Sequence, residues 1–544
     1  MSFRLLLRLP YVLRSWFEPN LRAFLEARQP FVWFLALLLG FGVAVAAIIF
    51  RELIGLFQLF WLGTRSEQVY STAMDLPWYW VMAGPILGGL AVGLLLTQLS
   101  SRGTGVVADV IEARALAGRK LSLRDGLLSA LTTALSLGSG GSAGREGPVV
   151  HLGAVLASAA AWRVELSGWC RRTLLGAGVA SAIAASFNAP IAGVLFAHEV
   201  ILGHYSMRSF VPIVIASTAG GVASRLWFGN SAAFVIPQHA ITSYWEFPAF
   251  ALLGVTAAVV AILFQFALFA GEYIARGIQI PVWLTPLAGG VLVGTIGIAF
   301  PQVLGVGYEV TNMALWQQLP LSMMLALIVV KTIATSVTLA TRFGGGIFSP
   351  SLYLGALTGC SFGVIAASVF PDLASSEGLY AIIGMGAVAG AVLGAPISTT
   401  VIVFELTGGY TLSVALLLSV AVAHGICQAI HGHSWFQWQL EMRGIFIQKG
   451  PHRVYSQTTR VMDFMEPVAE DAEPEIHDPD SKLPALKPTD SLDAALRAFD
   501  QSGYGRLPVV DPRENTSIIA WASHVRALRS FNKALVELSE EEHR

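Results

Sequence analysis

Long apolar stretches, and shorter ones broken by glycine and proline, constrain this chain more than any other feature. A bilayer span needs about 20 apolar residues. Phe31–Phe50, Trp78–Leu99, Phe247–Ala270, Trp283–Phe300, Met323–Thr341 and Thr411–Ile430 qualify. Of the 544 residues, 54% are hydrophobic and 13% charged, which leaves too little charge to coat a water-soluble body of this size. The expected class is a polytopic all-α membrane protein. The net charge of −1 and the lack of a basic tract argue against nucleic acid. Cys170, Cys360 and Cys427 lie in or beside apolar runs and have no metal-ligand spacing, so they read as small buried hydrophobes.

Residues 1–30 set Arg4, Arg8, Arg14, Arg22 and Arg28 among Leu and Phe, with no cleavable signal-peptide pattern. This reads as an amphipathic helix on the cytoplasmic surface, where positive residues concentrate. The loop 101–124 carries Arg102, Arg114, Arg119, Lys120 and Arg124 and should lie on the same side, two spans later.

The shorter segments are Asp125–Leu137, Val149–Trp162, Thr173–Phe187, Ala189–Leu202, Leu379–Leu393 and Ala395–Leu406. Breaks at membrane depth leave backbone N–H and C=O groups unpaired, so they survive only where they are buried or line a cavity. Broken helices of this kind point to a transport site.

The chain also repeats itself. GREGPVVHLGA (144–154) and GIFSPSLYLGA (346–356) share G-x-x-x-P-x-x-x-L-G-A at an offset of 202. NAPIAGVLFAHE (188–199) and GAPISTTVIVFE (394–405) share Ala-Pro-Ile and a Glu nine residues after the Pro, at an offset of 206. GTG (103–105) pairs with GVG (305–307), again at 202. Three matches in one order make a duplication. The halves run roughly 31–235 and 245–443, and inverted topology would bring equivalent loops together near the midplane.

Past Arg443 the composition turns polar. Residues 444–483 read as a linker, 484–532 as a small strand–helix–strand–strand–helix unit, and 533–544 as a tail.

The loops GTGVV (103–107), GSGGSAGREGP (138–148), GGGIFSP (344–350) and, more weakly, HGHSWF (431–436) share a chemistry. In the second and third, glycines precede a proline and then an apolar helix. Proline suits the first helical turn, and free N–H groups with the helix dipole attract anions. Two such starts would bind an anion through partial charges, weakly enough to release it. Glu146 puts a carboxylate beside that site. Deprotonated, it would occupy the anion's place; protonated or displaced, it would vacate it. The competing reading is an Arg145–Glu146 cap with no transport role. Glu199 and Glu405 occupy equivalent positions late in short helices and read as structural ties from helix ends to nearby backbone donors. His198 reads as a satisfied buried histidine. GGSAG (140–144) matches a nucleophile elbow, but it lacks the preceding strand and has only His151 nearby as a base, so a hydrolase is set aside.

On these residues the chain resembles the CLC family of chloride channels and proton-coupled chloride exchangers, over about 31–443. GREGP is the family signature as it stands, GGGIFSP resembles the second ion-binding loop, FNAPIAGVLF (187–196) the helix after it, and GTGVV a looser G-S-G-I-P. The resemblance implies an inverted-repeat bundle, a homodimer with one pathway per subunit, and Glu146 as the gate. It implies anion binding by the N–H groups of Ile347 and Phe348, which hold the central ion, by Gly147 next to the gate, and by the Thr104 hydroxyl in place of a Ser. The family's ion-coordinating Tyr falls on Phe436, which removes a donor. Proton-coupled members often carry two acids after this helix; here they fall on Glu199 and on Val200, and an apolar side chain passes no proton. A path through Glu146, Glu199 and His198 stays open.

The segment SLDAALRAFDQSGYGRLPVVD (491–511) resembles a CBS motif. Such motifs work in pairs that bind adenine nucleotides, and only one is present; VMDFMEP (461–467) looks like the opening of a first motif cut short. No other cofactor and no metal is expected.

The expectation is chloride transport, passive or weakly coupled, in a bacterial inner membrane with both termini cytoplasmic. A fully coupled chloride/proton antiporter and a fluoride or other small-anion member remain alternatives. A cation-coupled organic solute carrier is more remote, because the breaks offer Gly and Ser rather than acidic cation ligands.

Overall fold

The computed structural model describes residues 15–22, 24–26, 28–100, 103–115, 120–229, 234, 241–407, 410–446, 456, 459–468, 483–511 and 517–543. The first 14 residues of the expected N-terminal amphipathic helix lie outside them, and 15–22 are helical. The chain forms two compact units. One holds 1–110, 120–205 and 209–435; the other holds 111–119, 206–208 and 436–544, so the break falls before the change in composition at Arg443.

Up to residue 435 the helices run α1 (Gln29–Leu62), α2 (Val69–Met74), α3 (Trp78–Leu96), α4 (Val107–Ala115), α5 (Leu123–Gly138), α6 (Glu146–Arg163) and α7 (Gly168–Phe187). They continue with α8 (Pro190–Phe196), α9 (Met207–Phe228), α10 (Phe247–Gly277), α11 (Thr285–Ala299), α12 (Tyr308–Leu315) and α13 (Leu321–Ala340). The last are α14 (Phe348–Val369), α15 (Glu377–Leu393), α16 (Pro396–Thr407) and α17 (Tyr410–Ile430). Seven helical stretches among the described residues are long and apolar enough to cross a membrane. Large apolar side chains such as Phe34, Ile49, Phe60 and Leu87 point outward, as lipid contact requires.

Two expectations are corrected. Trp283–Phe300 yields a helix of only 15 residues, because Pro286 sits in its first turn and the chain turns again at Phe300. Met207–Phe228 is an added long helix, which Ser, Arg and an internal Pro212 obscure in the sequence.

The duplication is built into the packing. Gly153 on α6 meets Gly178 on α7, and a Cβ on either would stand 2.6 or 2.4 Å from the other's carbonyl oxygen. Gly355 on α14 and Gly384 on α15 repeat this, at 2.4 Å in both directions. Small residues let helices approach closely where lipid gives no hydrophobic drive. Gly384→Val is therefore expected to destabilise the protein by at least ~1–3 kcal/mol through overpacking. A lower thermal midpoint in detergent is the readout. Gly42→Ala, whose Cβ meets nothing within 4 Å, should leave that midpoint unmoved.

Reciprocal ties join the halves. Gly144 and Gly346 exchange backbone hydrogen bonds of 2.6 and 2.7 Å. Glu199 accepts from the N–H groups of Ile397 and Ser398 at the start of α16, and Glu405 from those of Ile191 and Ala192 at the start of α8. Such mutual exchange is what a two-fold relation produces.

In the second unit, β1 (Glu466–Pro467), β2 (Arg506–Val510) and β3 (Ile518–Ser523) form an antiparallel sheet in the order β1-β3-β2. With α19 (Leu492–Ser502) and α20 (His524–His543) they enclose Phe464, Leu492, Phe499, Leu507 and Val509. The expected first strand shrinks to one bridge, Leu486 with Val509. VMDFMEP, expected as the opening of a separate motif, packs into this same unit: Val461 and Phe464 are in its core and Glu466 pairs with Trp521. The helix α18 (Trp435–Glu441) begins at the boundary between the units.

Candidate functional site

The site forms where the two glycine-rich loops meet. The Gly144–Gly346 bridge sets the start of α6 beside the start of α14. Pro148 and Pro350 sit in the first turns, where a missing N–H costs nothing. Among the described residues, none accepts from the backbone N–H of Gly147, Ile347 or Phe348. These donors stay free because the helix has not yet begun at the residues that would pair with them.

Glu146 is fully buried. Its carboxylate accepts hydrogen bonds from the Tyr308 hydroxyl at the start of α12 and from the Ser349 hydroxyl in the first turn of α14. A carboxylate from one half thus rests on the helix start of the other. Glycine makes this possible: a Cβ at Gly144 would stand 3.0 Å from Glu146 Oε2.

Arg145 sits at the cap position of α6 but makes no side-chain hydrogen bond to the helix start. Its guanidinium pairs with Glu67 and lies over the Tyr308 ring at 4.7 Å, with Nε 3.7 Å from Glu146 Oε1. Glu67 also pairs with Arg51 at 2.9 Å. Arg51, Arg65, Glu67, Arg145 and Tyr308 line a cavity of about 280 Å³.

The loop before Tyr308 is held from below. The fully buried Lys331 donates to the carbonyls of Val303 at 3.0 Å and Gly305 at 3.1 Å. Gly307 has φ +93°, and a Cβ there would strike the Tyr353 ring at 2.8 Å. Only glycine allows this close turn.

Of the residues singled out in the sequence, Glu146, Gly147, Ile347, Phe348 and Thr104 come together. Thr104 borders the second loop, its Cγ2 3.3 Å from where a Gly344 Cβ would be. The Phe348 ring packs on Phe187 and Phe196 at 5.1 and 6.1 Å, both from FNAPIAGVLF. His151 stands behind the Thr104 loop, filling the space a side chain at Gly105 would take. Phe436 is buried at the start of α18, in the second unit.

His198, Glu199 and Val200 sit on one π-helical turn, Ala197–Leu202. Glu199 and Glu405 tie the helices they end to the backbone N–H groups at the starts of α16 and α8. His198 Nδ1 meets the His204 carbonyl at 2.9 Å, its ring stacks on Tyr205, and its buried Nε2 has no partner among the described residues. Neither Glu199 nor His198 hydrogen-bonds to Glu146 among the described residues.

Sequence reasoning missed Tyr308, Ser349, Glu67, Arg51 and Lys331. A signal existed for two of them: Tyr308 directly follows GVG, the partner of GTG, and Ser349 lies inside GGGIFSP.

A two-fold related helical bundle whose broken helices converge on free N–H groups belongs to the class of membrane transport proteins. The sequence model described as voltage gated chloride channel matches residues 88–428. The chain belongs to this CLC family, whose members are channels or transporters rather than enzymes, and its function is CLC-type chloride transport. It is 31% identical over 395 residues to the putative chloride channel protein ClcB-like of Ralstonia nicotianae, covering 70% of this chain and 90% of that one. Its fold resembles that of a slow cyanobacterial Cl⁻/H⁺ antiporter, with TM-score 0.67 and 22% identity over 76% of this chain and 97% of the other. A CLC-type fluoride/proton antiporter has a TM-score of 0.62 at 23% identity, covering 75% and 98%.

Proposed function

We propose that chloride crosses where the starts of α6 and α14 meet, that Glu146 gates this pathway, and that proton coupling is weak or absent. The buried Glu146 carboxylate carries the reading. It rests on the Tyr308 and Ser349 hydroxyls where the two helix starts meet, so a chloride ion drawn to the neighbouring N–H groups would compete with the carboxylate for one seat. A protonated Glu146 loses its claim on these donors and lets the ion pass.

Weak coupling is supported by Val200, which offers no proton-carrying group at the inner relay position, and by Glu199, whose oxygens are committed to α16. Full antiport is the second reading. The unpartnered His198 Nε2, two residues from Val200, favours it, as does the fold shared with proteins described as proton antiporters. Chloride is favoured over fluoride by GREGP and the Thr104 hydroxyl.

The same reading places the chain as a homodimer in a bacterial inner membrane, in contact with lipid, with both termini cytoplasmic. Its tail is a single CBS-like motif, so an adenine-nucleotide cleft would need the motif of a second copy.

Chloride efflux from liposomes carrying the purified protein, with external pH recorded at the same time, tests this. Efflux is expected to rise as pH falls, with little proton movement against its gradient. Uphill proton movement driven by chloride would overturn weak coupling. Efflux independent of pH would overturn the gate.

A further inference from the structure

We infer that Glu67 is a positioning residue for the gate: it takes the closer pairing with the Arg145 guanidinium, leaves Glu146 the weaker one, and thereby sets the acidity at which the pathway opens. The inference rests on Glu146 being the gate.

Glu67 belongs to the loop between α1 and α2, far from GREGP in sequence. One of its oxygens, Oε1, serves both guanidiniums, from Arg145 Nη1 and Arg51 Nη2. The Arg145 side chain is 7% exposed, so its charge needs an anion close by. Two anions are within reach. Glu67 has the hydrogen bond; Glu146 Oε1 waits 3.7 Å from Nε. That same Oε1 receives the Tyr308 hydroxyl. Arg145 therefore needs only a small turn to shift its charge from one carboxylate to the other.

The charged groups around the site are few. Helix α1 brings Arg51 and Glu52, the α1–α2 loop brings Arg65 and Glu67, and α6 brings Arg145. On α12, Glu309 is taken by the N–H groups of Tyr70 and Ser71. On α13, Lys331 is taken by carbonyls. The cavity wall thus sets three guanidiniums against two carboxylates. Removing the Glu67 charge takes away the carboxylate that Arg51 pairs with and leaves Glu146 as the carboxylate paired with Arg145. An anionic Glu146 is then better held, and more acid is needed to open the pathway.

The test is chloride efflux against pH for wild type, Glu67→Gln and Arg51→Gln in liposomes, each repeated in a Glu146→Gln background. Glu67→Gln should move the profile to lower pH by about one unit, the lower end of what an opposite charge at this range produces. Arg51→Gln removes a positive charge and leaves Glu67 wholly to Arg145, so its profile should move to higher pH. Both shifts should vanish when Glu146 is Gln. A Glu67→Gln profile that overlies wild type, or moves to higher pH, overturns the inference. If Glu67→Gln does not fold, Arg51→Gln decides by the same criterion with the opposite sign. Failure of the gate looks different: there Glu146→Gln itself keeps the wild-type pH dependence.

Discussion

Replacing Glu146 with Gln is expected to flatten the pH dependence of chloride efflux and to raise efflux near neutral pH by roughly ten- to a hundredfold. The argument starts from what the carboxylate holds. It accepts from two hydroxyls, Tyr308 and Ser349, inside a fully buried site. A hydrogen bond to a charged group contributes roughly 1.5–3 kcal/mol, so the pair favours the seated carboxylate by about 3–6 kcal/mol. An amide of the same shape keeps neutral hydrogen bonds and loses the charge-assisted part. It also loses its attraction to the free N–H groups at the two helix starts. Each ~1.4 kcal/mol is a tenfold change in the balance between seated and vacated states, so losing about half of this term gives the expected rise. Gln does not titrate, so acid has nothing left to act on. The measurement is initial chloride efflux across a pH series. A Glu146→Gln protein that matches wild type in both rate and pH profile would show that the carboxylate has no part in passage.

How much of this was legible beforehand follows from the physics of each feature. The spans were legible because a bilayer demands long apolar runs, and α1, α10 and α17 supply them without interruption. Helix α9 was not, because Pro212 and its Ser and Arg residues lower its hydropathy; in the structure Pro212 is buried against protein. The two glycine-rich loops were legible through the repeat, since Gly144 and Gly346 occupy matching positions and bridge each other. Glu199 and Glu405 were likewise matched in the sequence, and their reciprocal capping follows from that match. The ring of groups around Glu146 was not legible. Tyr308 lies 162 residues from Glu146, and Glu67 lies 78 from Arg145. No local pattern links such partners; only the packing of α1, α6 and α12 does. Lys331 was hidden for the same reason: a lone Lys in an apolar run says nothing about which carbonyls it will meet.

Tyr308→Phe is expected to open the pathway at higher pH, by about one to two units. Phenylalanine keeps the ring that Arg145 covers at 4.7 Å and that meets Phe234 edge-on at 4.9 Å, so the packing should survive. What disappears is the hydroxyl that donates to Glu146 Oε1. That bond favours the charged, seated carboxylate, and losing roughly 1.5–3 kcal/mol of it corresponds to about one to two pH units at 1.36 kcal/mol per unit. The sign follows directly: a less favoured anion is protonated under milder acid, so efflux begins to rise at higher pH. This is opposite to the shift expected for Glu67→Gln, although both residues act on the same carboxylate. A nonspecific loosening of the site would move both variants the same way, so the pair of signs is the stronger test. A Tyr308→Phe profile that overlies wild type would mean that the hydroxyl contributes nothing to holding the gate, and Ser349 with the helix starts would have to account for it alone.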